Sequence, residues 1–209
     1  MLGHEGIGKV LEIGKKVKKV QVEDEVILTW IKGKGANEAG TILSTKDGSV
    51  VNAGPVTTFS NHTIVSENRI VKKPKSIDQK SAVLFGCAIP TGGGIALNET
   101  KINSSTSVGI IGMGGIGLSA FLVAKCLKPK KLVAIDVENH KLRLAHILGA
   151  DSTINPNKVE IVKEINELTN NNGFDVVIES AGLVKTIELG FQIIKKNGGE
   201  LIFASHPTN

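Results

Sequence analysis

The stretch Ser107-Val108-Gly109-Ile110-Ile111-Gly112-Met113-Gly114-Gly115-Ile116-Gly117-Leu118-Ser119-Ala120 decides how this chain folds. A five-residue apolar run enters a glycine cluster, and an apolar helical pattern, Ile116 to Leu127, leaves it. The cluster holds the spacing Gly-x-Gly-x-x-Gly, in which each glycine has its own task. Gly112 allows a tight turn, Gly114 lets backbone approach a pyrophosphate, and Gly117 lets helix sit against strand. A helix starting near Gly115 aims the N–H groups of Gly115 and Ile116, and its positive dipole end, at bound phosphates. Methyltransferases and plain packing also use such loops, so a second element is needed. Leu132-Val133-Ala134-Ile135 ends in Asp136, which follows Gly117 by 19 residues. An acid at that place accepts hydrogen bonds from an adenosine ribose and repels a 2′-phosphate, which favours NAD over NADP. Lys141, five residues on, is either a ribose contact or a solvent-facing helix lysine.

Outward from this loop the chain alternates strand and helix. Strands are expected at Ser107 to Ile111, Lys131 to Ile135, Ser152 to Ile154, Asp175 to Glu179 and Glu200 to Ala204. Helices are expected at Ile116 to Leu127, Glu138 to Leu148, about Val159 to Leu168, and Leu183 to Lys195. Repeated strand–helix units imply an α/β fold with a doubly wound parallel sheet. The apolar stretch Val108 to Leu127 has the length of a membrane span. Its five glycines and Lys125 fit a strand, turn and helix better, and no membrane is expected.

The part before this sheet reads as all-β. Ile7 to Ile13 alternates up to Gly14, Glu25 to Trp30 is a second strand, and Thr63 to Ser66 and Ile70 to Val71 resume the pattern. Lys32 to Gly54 is polar and glycine-rich, a loop or small lobe with weak strand signals. Ser76-Ile77-Asp78-Gln79 has capping-box spacing, with Ser76 as the cap, and predicts a helix through Phe85. Lys15, Lys16, Lys18 and Lys19 form the one dense basic cluster behind the net charge of +5. No aromatic stacking platform accompanies it, so it reads as a solvated turn and not as a nucleic-acid surface. Two cysteines, Cys87 and Cys126, make no disulfide framework and fit a reducing cytoplasm. No signal peptide is expected, since Gly3, His4 and Glu5 follow Met1 and Leu2 directly.

Two further segments carry chemistry. Gly3-His4-Glu5-Gly6-Ile7-Gly8 opens the chain, and Gly86-Cys87-Ala88-Ile89-Pro90-Thr91-Gly92 places Cys87 25 residues before Gly112. Alone, a His near a chain start is usually a surface residue, and a Cys on an apolar helix is usually core. Spacing by itself does not join them.

Together with Ala134-Ile135-Asp136 and Gly149-Ala150-Asp151, in this order, these segments resemble the zinc-type medium-chain alcohol dehydrogenases over nearly the whole chain. The resemblance implies a partial GroES-like catalytic domain over residues 1–90 and a Rossmann dinucleotide-binding domain over 91–209. It also implies one catalytic zinc on His4 and Cys87, with Glu5 able to join or adjust the coordination. Thr91 would lie against the nicotinamide, and Asp136 would hold the ribose. The activity implied is hydride transfer between a small alcohol and NAD, giving an aldehyde or ketone, and the full-length form implied is a homo-oligomer.

There are departures. The family carries a first zinc-ligand Cys about twenty residues ahead of its Gly-His-Glu motif, and this chain starts too late to include it. No Cys occurs in Lys32 to Gly54, where the family places a structural zinc, so none is expected. The sixth strand of the sheet is expected to be missing. Cys126 has no family role and reads as a helix core thiol, while His62, His140, His146 and His206 read as surface residues. Three alternatives stay open: a zinc-free quinone or enone reductase of the same superfamily, a non-catalytic NAD-binding fragment, and a methyltransferase.

Overall fold

The structure, a computed structural model, describes residues 3–204 and 207. The chain divides into two compact units, Met1–Ala88 and Ile89–Asn209.

In the first unit β1 (Glu5–Lys9), β2 (Glu25–Thr29) and a later strand β5 (Ile70–Lys72) form an antiparallel sheet with β2 in the middle. Being central, β2 buries four consecutive residues, Val26 to Thr29. Val26, Leu28, Val20, Val56 and Ile70 make a small apolar core. β1 is shorter than the alternation suggests: it ends at Lys9, and Leu11 and Ile13 are exposed. The segment from Thr63 to Ser66 forms no strand. A 3-10 turn, Glu67–Arg69, precedes β5 instead. Within the polar lobe, β3 (Thr41–Ser44) pairs with β4 (Val50–Gly54) as a separate hairpin.

The lysine cluster is a turn fastened from inside. Buried Glu67 accepts the amides of Lys18 and Lys19 at 2.6 Å each through Oε1, and that of Ala36 at 2.7 Å through Oε2. Three amides on one carboxylate hold it below the ordinary Glu range, Ala36 contributing most.

The expected cap moves. Ser76 falls in a turn closed by the Ile77 amide on the Pro74 carbonyl (3.2 Å), and Asp78 caps instead, accepting the Ser81 amide at 3.0 Å. The helix it starts, α1 (Gln79–Ala82), gives way to a 3-10 turn at Val83–Gly86. The chain then bends at Cys87 and begins a new helix, α2 (Ala88–Asn98).

In the second unit β6 (Ser107–Ile111), β7 (Lys131–Ile135), β8 (Ser152–Ile154), β9 (Val176–Glu179) and β10 (Glu200–Phe203) form a parallel sheet in the order β10-β9-β6-β7-β8. The connecting helices are α3 (Gly115–Cys126), α4 (Asn139–Ile147), α5 (Ile161–Thr169) and α6 (Val184–Ile193). The sheet has a core on each face. Val108, Ile110, Leu132 and Ala134 meet Phe121, Ala124, Leu142 and Ala145 on one. Ile111, Val133, Ile135 and Val177 meet Ile165, Phe174 and Ile193 on the other. Burial on both faces explains why these strands read as unbroken apolar runs.

Glycines on α2 explain a helix that the sequence does not announce. A side chain at Gly92 would lie 2.1 Å from the Ile116 carbonyl, and one at Gly93 would lie 2.9 Å from Val123. Close packing on α3 outweighs poor helix propensity. Cys126, read as a core thiol, is exposed at the end of α3. His62, His140 and His146 are exposed, while His206 lies outside the described residues. Among the described residues, no single helix is long and apolar enough to cross a membrane.

Candidate functional site

The second unit presents its glycine loop where β6 ends. Gly112 turns at φ +86° and bonds its amide to the Ile135 carbonyl at 2.8 Å, so loop and β7 are tied together. A side chain at Gly117 would sit 1.8 Å from the Gly112 carbonyl, whereas space over Gly114 is open for 4 Å. The loop is tight where helix meets strand and clear where a ligand would approach. The first intrahelical bond of α3 runs from the Leu118 amide to the Gly114 carbonyl at 2.8 Å. The N–H groups of Gly115, Ile116 and Gly117 come before it, in the anion-binding position.

Asp136 faces this loop from the end of β7. It is buried, with 7% of its surface exposed. Its Oδ2 accepts the Met113 amide at 2.6 Å, and its Oδ1 accepts the Glu138 amide at 2.8 Å. Lys141 reaches Oδ2 at 3.5 Å. A carboxylate has about four lone-pair sites, so acceptor capacity remains for ribose hydroxyls. Thr91 stands half-buried in the first turn of α2. Its neighbour Gly92 packs against the Ile116 carbonyl in the first turn of α3.

An acid that sequence reading passed over closes the opposite side. Glu179 ends β9, in register with Ile111, and is wholly buried. Its Oε1 accepts the amides of Ala181 at 2.8 Å and Gly182 at 2.9 Å, and the Thr186 hydroxyl at 2.8 Å. The signal was present: like Asp136, it is an acid closing a buried apolar strand, followed by small residues.

In the first unit the Gly-His-Glu segment and the Cys87 bend come together. A side chain at Gly86 would lie 2.5 Å from the Leu28 carbonyl and 3.1 Å from Glu5 Cα. The Thr29 hydroxyl donates to the Gly86 carbonyl at 2.6 Å. Glu5 Oε1 accepts the Ala88 amide at 2.9 Å, which fixes the chain just after Cys87. Half-buried Cys87 Sγ accepts the Trp30 indole N–H at 3.1 Å. His4, next to Glu5, is exposed.

An imidazole and a thiol suit zinc in kind. In number they supply part of a set. Among the described residues, no group of three or more His, Cys, Asp and Glu side chains is placed to hold a metal ion.

Comparison with known proteins agrees with both units. Residues 1–75 match the alcohol dehydrogenase GroES-like domain family, and residues 115–208 match the zinc-binding dehydrogenase family. An S-(hydroxymethyl)glutathione dehydrogenase from Synechocystis is 30% identical over 228 residues, spanning 97% of this chain and 62% of the relative. Zinc dependent alcohol dehydrogenase 2 from Streptococcus pneumonia, in its apo form, superposes with a TM-score of 0.83 at 28% identity, over 99% of this chain and 60% of that one. Benzyl alcohol dehydrogenase from Acinetobacter calcoaceticus gives a TM-score of 0.83 at 29% identity, over 99% and 62%. The chain therefore spans about three-fifths of the length of these relatives.

Proposed function

We propose, for a chain that belongs to the zinc-type medium-chain alcohol dehydrogenase family, reversible hydride transfer between a small alcohol and NAD, giving an aldehyde or ketone. The observation that carries the cofactor half is buried Asp136, clamped against the Met113 amide at 2.6 Å. Its carboxylate would accept the adenosine ribose hydroxyls and repel a 2′-phosphate, so NAD is favoured over NADP. The N–H groups of Gly115, Ile116 and Gly117, with open space over Gly114, would bind the pyrophosphate. Lys141 would stand beside the ribose and Thr91 against the nicotinamide.

His4 and Cys87 would hold one catalytic zinc, with Glu5 close by, and no second, structural zinc is expected. Zinc, when bound, supplies Lewis acidity that lowers the pKa of an alcohol oxygen. The chain's own contribution is orientation. The Trp30 N–H and the Glu5–Ala88 bond set the direction of the Cys87 bend, and the loop sets the cofactor.

The test is direct. NADH should bind more tightly than NADPH in a fluorescence titration of the 209-residue chain. Replacing Asp136 with Gly should narrow that difference, and a chain that prefers NADPH sinks the cofactor assignment. A second reading is favoured by the shortage of metal donors among the described residues. This chain by itself would bind zinc weakly and turn alcohol over slowly while still binding NAD. Stoichiometric zinc with fast NAD-linked oxidation would refute that reading.

A further inference from the structure

Glu179 has a place that the proposed mechanism does not use. A fully buried carboxyl is costly unless its surroundings answer it with hydrogen bonds. Here Oε1 alone takes the Ala181 and Gly182 amides and the Thr186 hydroxyl. Those three donors belong to the turn that leaves β9 and to the first turn of α6. Thr186 also receives the Leu183 amide at 3.2 Å, closing the helix start.

The same turn leans on the glycine loop. The Ser180 amide donates to the Ile111 carbonyl at 2.8 Å, and the Ser180 hydroxyl lies 2.9 Å from the Gly112 carbonyl. A side chain on Gly112 would come within 2.9 Å of the Ala181 amide nitrogen. The turn from Ser180 to Leu183 therefore packs on the glycine loop, and one carboxyl sets its shape.

Sheet order says which part of a ligand that turn meets. β6 is the first strand of the sheet, with β7 and β8 on one side and β9 and β10 on the other. A dinucleotide lies across the strand ends where the order reverses. Asp136, on β7, takes the adenosine ribose in the reading above. The other half of the cofactor must then lie over the end of β9.

We propose that Glu179 is a positioning residue for the nicotinamide half of the dinucleotide, acting through the Ala181–Gly182 turn and Thr186. This rests on the NAD reading of the glycine loop. The carboxyl fixes two backbone amides and one hydroxyl, so the turn is already shaped when the ring arrives. It touches no reacting atom itself.

The experiment separates the two halves of the ligand. NAD and ADP-ribose, which lacks nicotinamide, are titrated calorimetrically against the full 209-residue chain and its variants. Glu179→Gln should weaken NAD about tenfold, or about 1.4 kcal/mol, and leave ADP-ribose within about twofold. Thr186→Val, which keeps the carboxyl, should weaken NAD about threefold with no effect on ADP-ribose, and Thr186→Ser should restore it. Equal weakening of both ligands overturns the proposal, because a merely structural role would cost both alike. Unchanged NAD affinity in Glu179→Gln overturns it too. If that variant does not fold, the Thr186 pair decides by the same contrast. An unmutated chain that binds neither ligand sinks the dinucleotide reading and this inference with it.

Discussion

The two candidate sites are built in opposite ways. The glycine loop of the second unit comes from neighbouring pieces of one strand–loop–helix run, with Asp136 at the end of the next strand. Its bonds are mainly backbone to backbone or carboxylate to backbone, with the Ser180 hydroxyl added, and they gather at the ends of the parallel strands β6, β7 and β9. The Cys87 bend is assembled from Glu5, Leu28, Thr29, Trp30 and Gly86, residues more than 80 positions apart at the extremes. The first kind of site is as rigid as the sheet that carries it. The second is as firm as a few side-chain bonds in a small core.

Substitutions can sharpen that contrast. The largest effect should come from Gly117→Val, whose side chain would collide with the Gly112 carbonyl. It should abolish NADH binding and lower stability by about 3 kcal/mol, read by fluorescence and denaturant melts. A variant that still binds NADH would show the loop to be softer than its packing implies. Next, Asp136→Asn should weaken NADH by about 2 kcal/mol, some thirtyfold, without unfolding the chain. A loss of fold instead would mean that Asp136 serves the sheet before it serves a ligand.

Acid should attack the first unit through Glu67. Its carboxyl is held below the ordinary Glu value of about 4.3 by the Ala36, Lys18 and Lys19 amides. Between the lowered and ordinary values the unfolded chain binds more protons than the folded one. The stability it contributes is therefore complete above the ordinary value and lost as pH falls through the lowered one. Melting followed from about pH 6 to about pH 3 should show this slope, and Glu67→Gln should flatten it. An unchanged slope would remove Glu67 from the account. The smallest effect belongs to Trp30, the only tryptophan. Trp30→Phe should weaken zinc uptake by about threefold in competition with a chelating dye. In the unmutated chain, zinc should change the tryptophan emission, and Cys87→Ser should suppress that change. Emission that ignores zinc in both chains would detach Trp30 from the metal.

How much of this was legible follows the same division. β6 and β7 have the limits that the apolar runs and glycines predict, because strands buried on both faces must be apolar throughout. The acid at Asp136 was readable from its distance to Gly117. Less regular parts were not. α2 contains Gly92, Gly93 and Gly94, which argue against a helix until α3 is beside them. The cap falls on Asp78 and not on Ser76, because a turn closed on the Pro74 carbonyl uses up Ser76. β1 stops at Lys9, since Leu11 and Ile13 have no core to enter. Glu179 went unread because its partners follow it closely and resemble an ordinary turn. Joining Glu5 to the Cys87 bend needed a known family, since periodicity holds no information across such a separation.

The Asp136 carboxylate also bears on any attempt to re-engineer coenzyme choice. In the proposed reading it would act as an electrostatic gate, and it is also a backbone clip, holding the Met113 and Glu138 amides. Deleting its charge to admit a phosphorylated ribose leaves two N–H groups seeking an acceptor. Phosphate oxygens are acceptors, so a successful redesign lets the incoming group inherit both amides. A small neutral residue there, with the loop backbone untouched, is the substitution that allows it.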